Sequence, residues 1–351
     1  MGILSLFQSK NPLCGLDMGS TWAKTVRVAY KGRQVSLNNF ARVPWSRKDL
    51  DGAVHQGAKI KSLWQHQGLR DKVIISSMAG HSVIVKRAYF DSGPPKELEK
   101  TIYKEAGQYI PFDLSDVYLD YQVLGPGHED GSVEVILVAS KIKVVQDLME
   151  VAEKSGLSLS IVDVDAFALS NCFEFNYPEF HDEPVYLLDI GGRQSIFSIF
   201  LKNQPIFFRE MSFGGKHITN IIAELSNIGK AEAEVQKIQG PLTKDSDEYP
   251  DISRGIVTAV KDWTDEIKRL ISFYHTSEPH MKQASKLFLS GGGSLLNGIS
   301  TLLEQHLKIE VNYLDPWKNI QVSMNDYDMK YLDSVKPQFA VATGLALRGI
   351  T

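Results

Sequence analysis

The hydrophobic pattern changes period repeatedly along the chain, and each change predicts an element. Near the start, Pro12-Leu13-Cys14-Gly15-Leu16-Asp17 runs through Met18-Gly19-Ser20-Thr21 into Lys24-Thr25-Val26-Arg27-Val28-Ala29-Tyr30, predicting two strands around a turn of small residues. A second copy starts at residue 184, where Pro184-Val185-Tyr186-Leu187-Leu188-Asp189-Ile190-Gly191-Gly192 leads into Ser195-Ile196-Phe197-Ser198-Ile199-Phe200. Between them, Lys96–Ile110 predicts a helix, Val133–Ser140 a buried strand, Val144–Gly156 a helix closed by glycine, and Leu157–Val164 a strand. From Ser253 to Ser277 the residues Ile256, Val260, Trp263, Ile267, Leu270, Ile271 and Tyr274 recur at spacings of three and four, an amphipathic helix with one buried stripe. Lys286–Ser290 then reads as a short strand ending at Gly291-Gly292-Gly293, and the polar stretch Gly240–Asp251 reads as an exposed loop.

Strand, loop and helix in that order make α/β the expected class. With 351 residues, two compact lobes are expected. The second strand pair sets the boundary: a first lobe over 1–183, carrying a small insertion over about 80–160, and a second lobe over 184–351.

Composition narrows the function classes. The chain has 38 Lys and Arg against 42 Asp and Glu, a formal charge of −4 that gives no attraction to nucleic acid. Cys14 and Cys172 are the only cysteines, so neither a disulfide framework nor a cysteine metal site is supported, which favours a reducing cytoplasm. Val133–Ala139 and similar apolar runs fall short of the roughly 18 residues that cross a bilayer. The opening Met1–Phe7 is apolar but lacks the charged leader and cleavage pattern of a signal peptide.

Three glycine-bearing turns carry the candidate chemistry. Asp17 and Asp189 each end an apolar strand and each precede a glycine by two positions. Such a turn exposes backbone N–H groups that can cradle phosphate oxygens, and a carboxylate beside it can hold a hydrated Mg²⁺. One Asp-x-Gly turn is usually only a turn; two matched copies are a stronger signal. Gly291-Gly292-Gly293 lies between a strand and the apolar-periodic Ile299, Leu302, Leu303 and Leu307, so a ligand can approach its backbone closely. The P-loop pattern is absent, the dinucleotide fingerprint fails because Leu296 stands where its last glycine belongs, and the serine-hydrolase and zincin motifs do not occur.

Gly15–Ser20, Asp189–Gly192 and Ser290–Gly293 resemble, in that order, the phosphate-1, phosphate-2 and adenosine motifs of the actin, Hsp70 and hexokinase superfamily. Gly214-Gly215-Lys216-His217-Ile218-Thr219 is similar to the glycine-started helix of bacterial actins, and Ala233-Glu234-Val235-Gln236-Lys237 to their A-E-x-x-K segment. The resemblance implies an actin-like (ribonuclease H-like) fold, with two related lobes around a nucleotide cleft. It adds a nucleoside-side subdomain over about 214–280 and a C-terminal helix packed back on the first lobe. It implies ATP and Mg²⁺ as ligands. Asp17 and Asp189 would hold the metal through water, and Gly19, Ser20, Thr21, Lys24, Gly191 and Gly192 would face the phosphates. Gly214, Gly215, Glu234, Lys237, Gly291, Gly292 and Gly293 would face the nucleoside side. Asp165 stands where bacterial actins carry a water-orienting Glu; it is one methylene shorter and could equally be a helix N-cap, so binding is better supported than turnover. Arg193 departs from the small or polar residues usual beside the second turn.

Glu105–Phe112, Val117–Leu124 and Val162–Leu169 are similar to segments of the PilM family of type IV pilus assembly proteins. That resemblance implies a cytoplasmic ATP-binding scaffold, held at the inner face of the inner membrane by the cytoplasmic N-terminal tail of a PilN-like membrane protein, with other pilus complex and motor components as further candidate partners. The tail is expected to dock in the inserted subdomain, between about residues 80 and 160. An actin-like ATPase or sugar-kinase-type phosphotransferase, an FtsA-like protein and a GspL-like secretion component stay open as alternatives.

Overall fold

The computed structural model describes residues 13–32, 34–79, 83–240 and 250–348. The opening segment Met1–Phe7 and nearly all of the loop expected over 240–251 lie outside the described residues. The first sheet is built from β1 (Leu13–Met18), β2 (Trp22–Lys31), β3 (Gln34–Pro44), β4 (Val73–Met78) and, after the insertion, β8 (Ser158–Val164). The helix α1 (Ala53–His66) joins β3 to β4. A separate sheet follows, made of β5 (Val83–Asp91), β6 (Val117–Pro126) and β7 (Ser132–Lys141), with α2 (Pro95–Glu105) between β5 and β6. Its strand order is β5-β7-β6, all antiparallel. α3 (Ile142–Lys154) and β8 then return to the first sheet, where β8 pairs in parallel with β4. The separate sheet therefore occupies Val83–Lys141, and the strand expected over Leu157–Val164 belongs to the first lobe.

After α4 (Asp165–Asn176), the second lobe repeats the plan with β9 (Val185–Ile190), β10 (Ser195–Leu201), β11 (Gln204–Met211), α5 (Gly215–Ser226), α6 (Lys230–Gln239) and α7 (Pro250–Ser277). β12 (Lys286–Ser290), α8 (Ile299–Leu307) and β13 (Glu310–Tyr313) complete it, and α9 (Met329–Val335) and α10 (Ala340–Leu347) then return to pack on the first sheet. The two five-stranded sheets have orders β3-β2-β1-β4-β8 and β11-β10-β9-β12-β13, each an antiparallel triplet followed by two parallel strands. A parallel pair needs a crossover, and α1 and the α5–α7 block supply the first crossover of each sheet.

The stripe read from the sequence is buried in α7: Ile256, Val260, Trp263 and Ile267 lie in the second-lobe core, each contributing roughly 1.5–3 kcal/mol relative to exposure. Trp263 stacks on Phe213 at a centroid distance of 4.5 Å. α10 lies directly on β1: a Cβ on Gly15 would come within 2.2 Å of the Ala342 carbonyl oxygen. Only glycine lets the two backbones approach so closely. Val83, Val85 and Val138 of the separate sheet pack with Val164, Ala166 and Phe167 of the first lobe and with Ile196 and Phe208 of the second. The small sheet thus touches both lobes.

Candidate functional site

The first turn is set by its ladder. Asp17 and Lys24 are cross-strand partners in the β1–β2 hairpin, and their side chains form a buried ion pair. Gly19, Ser20 and Thr21 make the connection between the two strands. Trp45, just after β3, fixes the turn from outside: its indole Nε1 donates to the Gly19 carbonyl at 2.8 Å, and its backbone N–H donates to the Thr21 carbonyl at 2.9 Å.

The second turn follows β9, where Asp189 accepts a 2.8 Å hydrogen bond from Ser290 Oγ at the end of β12. Gly191 and Gly192 continue the chain, and their carbonyls accept from the N–H groups of Gly215 at 2.9 Å and Lys216 at 2.8 Å. Gly214 is the N-cap of α5; a Cβ there would lie 2.6 Å from the Gly191 oxygen. The two turns meet: a Cβ on Gly192 would lie 2.2 Å from Thr21 Oγ1 and 2.8 Å from Ser20 Oγ.

Acidic groups converge here. Lys24 is buried, which disfavours its charge, but Asp17, Asp189 and Asp165 together hold its pKa above the usual value. Asp165 opens α4 and is pushed up to about 7 by burial first, then by Asp17 and Asp189, against the Ser77 hydroxyl and Lys24. Asp189 is also raised, by burial first. Three carboxyl groups gathered around one ammonium are a setting in which a divalent cation would favour the ionised acids. Asp165 is not a helix N-cap: Val164 occupies that position, and no side-chain capping bond forms there.

On the far side, Lys237 Nζ lies 2.8 Å from the Glu234 carboxylate, an i,i+3 pair on one face of α6, and 3.2 Å from the Gly215 carbonyl. Thr219 Oγ1 donates to Glu234 at 2.5 Å. Gly215 also faces Gly293, whose Cα is 3.9 Å from the position of a Gly215 Cβ. Gly291 has φ +83 and donates its N–H to the Pro337 carbonyl at 2.9 Å. Cβ atoms on Gly291 and Gly293 would collide with Ile190 at 2.4 Å, whereas one on Gly292 would meet nothing within 4 Å.

The first turn, the second turn and the glycine triplet therefore meet through direct contacts, which bring the turns of the two five-stranded sheets together. Their chemistry fits a nucleotide. Thr21 Oγ1 is a buried hydroxyl without a hydrogen-bond partner, and a buried hydroxyl is usually satisfied. Gly292 leaves open space beside the triplet. Among the described residues, no group of three or more His, Cys, Asp or Glu is arranged to hold a metal directly. Ser290 and Lys216 stood within noted motifs without a role of their own, and Trp45 was not among the residues expected from sequence. Ser290 adjoins the glycine triplet and carried a positional signal; Trp45 carried none, because a tryptophan after a strand reads as core.

A second concavity lies where the separate sheet meets the first lobe. It is a cavity of about 160 Å³ whose lining includes Met78, Tyr118, Val138, Val145, Val162 and Asp163. Asp163 is buried beside Arg348, whose Nε is 3.0 Å from its carboxylate, and burial raises its pKa against the pull of that guanidinium. No helix among the described residues is long and apolar enough to cross a membrane.

Comparison with known proteins adds to this geometry. Residues 15–350 match the family described as type IV pilus assembly protein PilM. Among solved structures, the chain is similar to one described as a PilM-PilN type IV pilus biogenesis complex, with 27% identity and a TM-score of 0.84, covering 98% of this chain and 100% of that one. It is also similar to the ethanolamine utilization protein EutJ from Carboxydothermus hydrogenoformans, at 16% identity and a TM-score of 0.56, covering 97% and 90% of the two chains. A third match is MreB5 of Spiroplasma citri bound to AMPPNP, at 13% identity and a TM-score of 0.51, covering 96% and 95%. The last two likenesses concern the fold, which is the actin-like architecture.

Proposed function

The chain belongs to the PilM family of type IV pilus assembly proteins, and on that footing we propose that it is an ATP-binding scaffold that docks the cytoplasmic tail of a PilN-like inner-membrane protein. The observation that carries the reading is the pairing of two concavities: a cleft of phosphate-type turns, and a mostly apolar cavity where the small sheet meets the first lobe. A short extended tail needs apolar pockets for alternate side chains and a strand edge for its backbone. β6 lies at the edge of its sheet and contributes Tyr118 and Leu119 to the cavity. The partner would hold the protein at the inner face of the inner membrane.

In the cleft, Asp17 and Asp189 would position a hydrated Mg²⁺, the first and second turns would face the phosphates, and Gly292 would lie along the nucleoside. Bound Mg²⁺ supplies charge neutralisation of the phosphates. Asp165 is short for orienting water and is held toward its neutral form, so turnover by the isolated protein is expected far below the ~1–10³ per second of many enzymes. Titration of a synthetic peptide copying the cognate tail, with and without ATP, tests the scaffold role. Specific binding is expected; no binding under either nucleotide condition refutes it.

A further inference from the structure

Two cations at the mouth of the cleft have no assigned role. Lys216, the second residue of α5, reaches across from the second lobe: its Nζ lies 3.2 Å from the Ser20 carbonyl oxygen, 196 residues away in sequence. Its own backbone N–H is tied to the Gly192 carbonyl at 2.8 Å, so its stem is anchored to the second turn while its head touches the first. Arg193 follows Gly192, is exposed, and lies close enough to Lys216 that, after burial, it is the largest influence lowering the Lys216 pKa. The nearest acid felt by Lys216, Glu234, is already engaged by Lys237 and Thr219. Thr21 Oγ1, buried and without a partner, stands against Gly192 between the two turns.

A carbonyl oxygen is a weak counterpart for an ammonium group. Two neighbouring cations held without a free carboxylate cost energy, and an anion between the turns removes that cost. We infer that Lys216 and Arg193 form a clamp for the terminal phosphate of a nucleoside triphosphate and thereby set preference for ATP over ADP. The inference rests on the nucleotide reading of the cleft and adds the specificity. The carboxylate side of the cleft, Asp17 and Asp189, would hold the metal, while the cation side reads the anion. Lys216 would exchange the Ser20 carbonyl for a phosphate oxygen, and Thr21 Oγ1 would gain its missing partner.

The test is calorimetry of the full chain with ATP and with ADP at fixed Mg²⁺, on wild type and on Lys216→Gln, Lys216→Arg and Arg193→Gln. Glutamine removes the charge and is one atom shorter than lysine, so it also loosens the Ser20 contact; a merely structural contact would then weaken ATP and ADP binding alike, whereas the clamp affects ATP alone. Each loss of charge should weaken ATP binding about tenfold, the scale of a charged hydrogen bond, and change ADP binding by less than about twofold. Lys216→Arg should retain the ATP preference. Equal loss for ATP and ADP, or no change in either, overturns the clamp while leaving the nucleotide cleft standing. Failure of wild type to bind either nucleotide overturns both.

Discussion

Ile196 is the cross-strand partner of Asp189 in the β9–β10 hairpin, and it belongs to the same hydrophobic cluster as Val83 and Val138, which line the cavity at the small sheet. A single rung of one ladder therefore joins the acidic turn of the cleft to the wall of the candidate docking site. The Ser290 hydroxyl, on β12, holds the same Asp189 from its other side.

This rung predicts linkage between nucleotide and tail. A ligand that moves Asp189 moves Ile196 against the cavity wall, so each ligand should change the affinity of the other by the same factor. Ile196→Ala should bring that factor toward one. It should also cost about 2–5 kcal/mol of stability, because the side chain is buried. Measuring peptide affinity with and without ATP on both proteins decides the matter; an unchanged coupling factor in the folded variant would sink the path.

The glycine triplet separates binding from folding. Gly292→Val should abolish nucleotide binding yet shift the unfolding free energy by less than about 0.5 kcal/mol, since its Cβ meets no protein atom within 4 Å. Gly293→Ala should destabilise the fold by about 1–3 kcal/mol, because its Cβ would lie 2.4 Å from the Ile190 side chain. Denaturant unfolding beside calorimetry reads both effects. Wild-type affinity in Gly292→Val would remove the triplet from the nucleotide site.

Much of this was legible in the sequence. The paired Asp turns and the glycine triplet could be read because strand periodicity ends abruptly at small residues, a local signal. The parallel partners β4, β8, β12 and β13 depend on crossovers, so their pairing is non-local and could not be read from a window of residues. The same applies to β8: a strand directly following the insertion looks like part of it until pairing with β4 places it in the first sheet. Lys216 sat within a noted motif, yet its reach to Ser20 depends on how the lobes meet, which no spacing encodes. Asp165 could be a cap or a site carboxylate by sequence; the strand geometry of Val164 decided against the cap.

Acidic burial makes stability depend on pH in a stated direction. Asp165 is raised to about 7, and Asp163 and Asp189 are raised as well, all by burial first. A carboxyl with a raised folded pKa binds more protons folded than unfolded, so its contribution is complete below the ordinary carboxylate pKa and is lost as pH rises through the folded value. Between about pH 4 and pH 7 stability should therefore fall with rising pH. Asp165→Asn, which imitates the neutral form, should flatten that slope and gain about 1–3 kcal/mol at pH 8. Chemical denaturation across the pH range checks it, and a slope equal to wild type would assign the effect elsewhere.

The location of the docking site can be tested without disturbing the core. Tyr118 lines the cavity from the edge strand β6 but is 50% exposed, so Tyr118→Ala should leave stability within about 0.5 kcal/mol of wild type. An aromatic ring at a peptide pocket is a common energetic anchor, and its loss should weaken tail binding at least about tenfold. Val145→Asp places a charge on the α3 wall of the same cavity and should act in the same direction, because an unpaired carboxylate would meet the apolar tail. ATP affinity should stay near wild type in both variants, since neither residue contacts the phosphate turns, apart from any share carried by the linkage through Ile196. Calorimetry of tail peptide and ATP on each variant separates these effects. Full-strength tail binding in both folded variants would move the docking site away from the small sheet while leaving family membership untouched.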